Sequence, residues 1–309
     1  MHLLSIDSLS DADIAAILAE GARWFDYNRT PRRNEHRLDG LTLLNAFFEN
    51  STRTLLSFEI AANRLGAQVV TMQVEMSSIK KGETLEDTAR TLNAMRPDAL
   101  VIRHGKSGAP ADVAAIMDCP VINAGDGTGE HPTQALLDAF TIREHKGRLA
   151  GLKVAIVGDL LHSRVLRSNV LLLNTMGAEV WACGPATLLP SNIDRFGVHA
   201  TTSVDEAVEG ADVVMMLRIQ HERMHGHYIP SVREYFTLFG LTPVRMRRAA
   251  PDAIVMHPGP MNRGVEIDSA VADGPYSVVL EQVANGIAVR MAVLYLLSGR
   301  DPNSVAEER

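Results

Sequence analysis

A short apolar run that turns through two polar residues directly into a helix constrains this chain more than any other feature. It lies in Asn45–Gly66, NAFFENSTRTLLSFEIAANRLG. Leu41–Phe48 reads as a buried strand and Glu49-Asn50 as the turn. The residues that follow read as a helix with Leu55, Phe58, Ala62 and Leu65 on its apolar side. Gly66 closes that helix where a left-handed cap costs least. The junction is Ser51-Thr52-Arg53-Thr54. A strand feeding a helix N-terminus aims unpaired N–H groups and the positive end of the helix dipole at one point. Hydroxyls and a guanidinium on that first turn complete an anion site suited to phosphate. Taken alone, the same four residues also fit a plain N-cap, Ser51, beside a solvated Arg53.

The 309 residues allow two domains of roughly 150 residues each, expected as 1–148 and 149–309 with the last helix packing back on the first. A formal charge of -7 argues against a general nucleic-acid or membrane-surface binder. Acidic residues near the N-terminus do not suit a secretory signal, and no apolar run approaches the ~18 residues of a membrane span. Cys119 and Cys183 are too few for a disulfide framework or a cysteine zinc site. A soluble cytoplasmic protein is the expectation.

In the first half, Ser10 or Asp11 caps a helix carrying Ile14, Ile17 and Leu18. Ala67–Val74 reads as a strand. Thr84 and Asp87 fit a capping box for a helix presenting Leu85, Ala89, Leu92 and Met95. Between them, Ser77–Gly82 is short, polar and doubly basic, which as sequence reads as a solvated loop. Ala99–Ile102 is a strand with Arg103-His104 at its carboxyl end, where open parallel sheets bind ligands. Pro120–Ala124 is another strand, followed by a glycine loop, Gly125–Gly129. Pro132 then starts a helix to about Lys146, with His131 and Gln134 across its N-terminus.

A new βα series begins after Leu149–Leu152. Lys153–Asp159 is a buried strand, Ser163–Met176 a helix and Glu179–Cys183 a strand. This resembles half of a dinucleotide fold, but the turn reads GDLLHSR and lacks the G-x-G-x-x-G fingerprint, so a nicotinamide enzyme is not expected. Arg164 lies on the first turn of that helix. Ala211–Leu217 is a strand ending in Arg218 and Gln220; Ala253–Met256 is another, ending in His257-Pro258-Gly259-Pro260. That proline-glycine turn offers carbonyls to an ammonium or amide group, or is a plain turn. The last helix, about 278–297, is apolar and expected to be too short to span a membrane.

Residues that end a strand or open a helix are thus Ser51–Thr54, Arg103, His131, Gln134, Arg164, Arg218 and Gln220. Several guanidiniums suit a polyanionic substrate. His221, His225 and His227 lie in a loop and are not read as a metal tract. No metal or cofactor is expected. Together, FFENSTRT, KKGET, HPTQALLD, LRIQHER and HPGPMNRG resemble the aspartate carbamoyltransferase catalytic-chain family within the aspartate/ornithine carbamoyltransferase superfamily. The resemblance covers nearly the whole chain.

It implies an α/β fold of two domains, each a mainly parallel sheet flanked by helices, joined by two interdomain helices. It implies carbamoyl transfer from carbamoyl phosphate to L-aspartate, an early step of pyrimidine synthesis. By the resemblance, Ser51, Thr52, Arg53, Thr54 and Arg103 hold the phosphate, and Thr54, His131 and Gln134 the carbamoyl end. Arg164 and Arg218, with Gln220, grip the aspartate carboxylates. The backbone of Gly259 and Pro260 accepts from an N–H group, and Glu49 anchors one of the arginines. Ser77 and Lys81 come from a neighbouring subunit, which implies a homotrimer with shared sites; Lys81 joins Arg53, Thr54, Arg103 and His131 in catalysis and also contacts aspartate. A regulatory chain or a dihydroorotase is a conceivable further partner; nucleic acid and membrane are not. The amine's attack creates a tetrahedral oxyanion, which cationic donors stabilise. Ornithine carbamoyltransferase is the rival, but its H-C-L-P turn is replaced by His257-Pro258-Gly259-Pro260, and Arg218 opposes a second amine. A non-catalytic homologue would lack some of these residues, and every matched position is filled.

Overall fold

The computed structural model describes residues 2–31, 35–72, 82–220 and 231–299. Two compact units emerge: Met1–Phe140 with Val283–Arg309, and Thr141–Gln282. In the first, the order is α1 (Asp11–Asn28), β1 (Thr42–Phe47), α2 (Thr52–Arg64), β2 (Gln68–Met72), α3 (Leu85–Ala94), β3 (Ala99–His104), α4 (Ala109–Ala114) and β4 (Val121–Asp126). The helix α5 (Pro132–Lys146) carries the chain into the second unit. There follow β5 (Lys153–Val157), α6 (Arg164–Thr175), β6 (Glu179–Cys183), β7 (His199–Thr201), α7 (Val204–Val208) and β8 (Val213–Met216). Then come α8 (Val232–Phe239), α9 (Pro243–Met246), β9 (Ile254–Met256), α10 (Ser269–Ala272) and α11 (Val279–Leu297), which returns the chain to the first unit.

Each sheet is wholly parallel among the described strands. The first runs β2-β1-β3-β4 and the second β7-β6-β5-β8-β9. Strands such as β4 and β8 are buried along their length, as parallel strands covered on both faces must be. Leu44, Ala46, Leu100, Ile102 and Val121 of the first sheet pack with Ala89 and Leu92 of α3. In the second, Val157, Val214, Met216 and Val255 pack with Val204, Val208 and Tyr235.

Local signals account for the helix ends. Ser10 makes a complete capping box with Asp13. At α3, the Thr84 hydroxyl accepts from Asp87 N (3.1 Å) but donates to the Asp87 carboxylate (2.7 Å), so the expected box is only half made. Gly66, at φ +88°, closes α2. Three expectations change. Leu55 is only half-buried, and Thr54, Ser57 and Ala61 take the inward face of α2 beside Phe58 and Ala62. The strand expected to stop at Ala124 continues through Gly125 to Asp126. Its end is tied down because the Asp126 carboxylate accepts from Gly108 N and Glu130 N, each at 2.7 Å. Finally, α11 is long and apolar enough to cross a membrane, against the expectation that it is too short. Its 19 residues rise about 28 Å, and 67% of its most apolar window is buried inside the protein, as in a core helix.

Candidate active site

In open parallel sheets the ligand crevice lies beyond the carboxyl ends of the two strands where the strand order reverses direction. In the first unit those are β1 and β3. The residues after β1 are Glu49-Asn50-Ser51, and α2 starts at Thr52. Ser51 is the N-cap residue by position, yet its hydroxyl makes no capping bond. Thr54 is buried, Ser51 half-buried, and Thr52 and Arg53 are exposed. Arg103 pairs in register with Phe47 at the end of β1. Its Nη2 donates to Glu49 Oε1 at 2.7 Å and its Nη1 to Ala124 O at 3.1 Å. The anchored arginine implied by Glu49 is therefore Arg103. His131 and Gln134, both buried, follow β4, the strand next to β3. Gln134 Nε2 donates to Asp138 Oδ1 one helical turn on, at 2.9 Å.

In the second unit the reversal falls between β5 and β8. Gly158 ends β5 at φ +143°, and a Cβ there would run into Leu217 O, so only glycine lets the two strand ends lie so close. The next residue, Asp159, is fully buried and acts as a hub. It accepts from His162 N (3.2 Å), from the His162 ring at Nδ1 (3.0 Å) and from Gln220 N (3.3 Å). Gln220 Nε2 donates in turn to His162 O at 3.1 Å. Arg164, buried, is the first residue of α6, whose cap is Ser163 accepting from Leu166 N. Arg218 is half-buried just beyond β8, with Nη1 reaching Ile219 O at 3.4 Å.

After β9, His257 is locked by hydrogen bonds. Its backbone N–H donates to Gln282 Oε1 at 2.8 Å, and Gly259 N–H donates to its Nδ1 at 2.8 Å. The ring proton must then sit on Nε2, which donates to the buried Glu266 Oε1 at 3.0 Å. Glu266 Oε1 also accepts from Asn262 N at 2.6 Å. The turn held this way contains the cis Gly259–Pro260 bond.

Ser77 and Lys81, like His221, His225 and His227, lie outside the described residues. Among the described residues no group of three His, Cys, Asp or Glu side chains is gathered as a metal site. Burial pushes the thiols of Cys119 and Cys183 up to about 11 and about 12, so neither is a thiolate nucleophile at neutral pH. Sequence reasoning passed over Asp138, Asp159, His162, Glu266 and Arg290. Asp138 was the most accessible, four residues after Gln134 on the same helix; Glu266 sits at no periodic spacing from His257.

Known proteins resemble this chain along nearly its whole length. Residues 1–144 match the aspartate/ornithine carbamoyltransferase carbamoyl-P binding domain, and residues 150–297 match the Asp/Orn binding domain. The aspartate carbamoyltransferase catalytic subunit of Rhizorhabdus wittichii is 62% identical over 97% of this chain and 95% of its own. That of Azorhizobium caulinodans is 58% identical over 99% and 96%. Among solved structures, Trypanosoma cruzi aspartate transcarbamoylase in complex with carbamoyl phosphate and aspartate superposes with a TM-score of 0.86 at 34% identity, covering 95% of both chains. The same enzyme in complex with N-(phosphonacetyl)-L-aspartic acid gives 0.86 at 35%, covering 95% of this chain and 94% of its own.

Proposed function

Since the chain belongs to the aspartate/ornithine carbamoyltransferase family, with relatives named as aspartate carbamoyltransferase catalytic subunits, we propose that it transfers the carbamoyl group of carbamoyl phosphate to L-aspartate. The products are N-carbamoyl-L-aspartate and phosphate, in pyrimidine biosynthesis. The observation that carries this reading is that each sheet sets arginines at its own switch point: Arg53 and Arg103 in one unit, Arg164 and Arg218 in the other.

Ser51, Thr52, Arg53, Thr54 and Arg103 hold the phosphate, with the α2 N-terminus adding N–H donors. His131 and Gln134 bind the carbamoyl end, and Arg164, Arg218 and Gln220 bind the aspartate carboxylates. When the amine attacks, charge grows on the carbamoyl oxygen. Thr54, Arg103 and His131 are donors suited to that oxygen, while Arg53 and Lys81 steady the departing phosphate. The backbone carbonyls of Gly259 and Pro260, held in place by His257 and Glu266, accept N–H bonds from the reacting groups. Binding both reactants supplies much of the acceleration, so no covalent intermediate is required.

The reading extends to a homotrimer in which Ser77 and Lys81 serve a neighbour's site. Its support is an apolar surface on the first unit: Leu56 (47% exposed), Ile60 (38%) and Val70 (51%), the last on the edge strand β2 just before the segment bearing Ser77 and Lys81. It also extends to a cytoplasmic enzyme, the compartment in which the free thiols Cys119 and Cys183 stay reduced.

The test is a colorimetric ureido assay. Wild-type protein is expected to prefer aspartate to ornithine, and Arg53→Ala to lose nearly all turnover while staying folded. Preference for ornithine, or near-normal activity of Arg53→Ala, would overturn the assignment. Mixing Arg53→Ala with Lys81→Gln should recover activity through hybrid trimers; no recovery rules out the shared site.

A further inference from the structure

Gln134 is an amide, and its two ends recognise opposite things: Nε2 donates and Oε1 accepts. Which end faces the ligand is decided behind it. Asp138, fully buried on the next turn of α5, can only accept as a carboxylate, and it takes the Gln134 Nε2 proton at 2.9 Å. Oε1 must therefore point away from Asp138, and among the described residues it has no protein partner. A cation, Arg290 on α11, lies near enough to attract this buried carboxylate. Arg290 is buried, with its guanidinium 5.1 Å from the Phe58 ring centroid on α2. Burial draws its pKa down to about 10, with attraction to Asp138 opposing the shift, so it remains a cation at neutral pH. Room for that head group is left by Gly286, one turn earlier on α11. A Cβ there would stand 2.7 Å from Arg290 Nη1 and 3.2 Å from Leu137 Cδ2 of α5.

Resting on the reading of Gln134 as part of the carbamoyl site, we propose that Asp138 and Arg290 are positioning residues. They hold the Gln134 amide with its oxygen toward the ligand, so that the first unit selects an acyl phosphate bearing N–H donors over one bearing a methyl group. Carbamoyl phosphate offers an NH2 group to Oε1; acetyl phosphate, similar in shape and with the same phosphate, leaves Oε1 facing a methyl. An unmatched buried polar group is what rejects an analogue of equal size.

The experiment compares wild type, Asp138→Asn and the double variant Asp138→Asn/Arg290→Gln, which leaves no orphaned charge should the single variant fail to fold. Three quantities are measured: kcat/KM for carbamoyl phosphate, inhibition by acetyl phosphate, and binding of inorganic phosphate. An asparagine at 138 presents either a donor or an acceptor, so the Gln134 amide is no longer held one way round. Carbamoyl phosphate kcat/KM is expected to fall about ten- to a hundredfold. Acetyl phosphate and inorganic phosphate should change by less than about threefold, the range expected of contacts that the substitution leaves intact. Equal weakening of all three ligands would show a merely structural role and overturn the proposal while leaving the carbamoyltransferase reading intact. No change in any of them would do the same. If wild type neither turns over carbamoyl phosphate nor binds phosphate, the reading itself fails and the proposal with it.

Discussion

Replacing Glu49 with alanine tests whether the first half-site depends on a held guanidinium. Glu49 Oε1 lies 2.7 Å from Arg103 Nη2, and the Glu49 and Arg103 side chains are 27% and 10% exposed. Without the carboxylate, Arg103 still donates to Ala124 O at 3.1 Å. A hydrogen bond between charged groups contributes about 1.5–3 kcal/mol. The exposure of Glu49 lets water replace part of it, so the lower end applies, about 1.5–2 kcal/mol. If that energy serves to aim Arg103 at the carbamoyl oxygen, kcat/KM for carbamoyl phosphate should fall about ten- to thirtyfold, at 1.4 kcal/mol per decade. Glu49→Gln keeps an acceptor but not the charge, and should fall between the two. The assay is initial rate against carbamoyl phosphate at saturating aspartate, with urea denaturation in parallel. A kcat/KM within about twofold of wild type, together with a lowered denaturation midpoint, would refute the reasoning. The pair would then serve the fold alone.

Asp159→Asn removes the charge that holds His162 and the backbone of Gln220. It should raise the KM for aspartate about tenfold and leave carbamoyl phosphate binding unchanged, as steady-state kinetics with each substrate varied will show. Ser10→Ala breaks the capping box of α1 and should cost about 1 kcal/mol in denaturant unfolding with no loss of activity. Burial lowers the His104 pKa below its ordinary 6.5, so the unfolded chain takes up a proton there first. Stability from this residue is complete above pH 6.5 and is lost as pH falls through the lower folded value. His104→Asn should flatten that stretch of the stability profile measured by denaturation.

What the sequence revealed follows from range. The β1–α2 unit, the Ser10 cap and the Gly66 stop rest on signals within a few residues, where periodicity and capping chemistry act. Arg103, Arg164 and Arg218 stood out because strand ends and helix starts are local features too. The acids that hold the site did not stand out. Asp159 serves Gln220, which only the fold brings near, while Glu266 and Asp138 serve partners nine and four residues away; a buried carboxylate looks in sequence like any surface one. Glycine misled too: Gly125 suggested a loop where bonds to Asp126 from Gly108, distant in sequence, and from Glu130 hold the end of β4. The apolar length of α11 says nothing by itself about whether lipid or protein covers it.

The two units solve one problem twice, with different strand orders. Each places a helix-start arginine after the first strand of its switch pair, Arg53 after β1 and Arg164 after β5. Each places a second arginine at the end of the other strand, Arg103 on β3 and Arg218 just past β8. Each then steadies the second position with an acid from the segment leaving the first strand: Glu49 holds Arg103 directly, and Asp159 holds the backbone of Gln220, two residues after Arg218. The correspondence follows from the topology. At a switch point the two chain segments leave for opposite faces, so the strand ends are not covered by a crossing loop and their N–H groups remain available. An acid on one segment is then the shortest route to fixing a cation on the other. Glu49 thus grips the guanidinium of the second arginine itself, whereas Asp159 grips the Gln220 backbone together with the His162 ring.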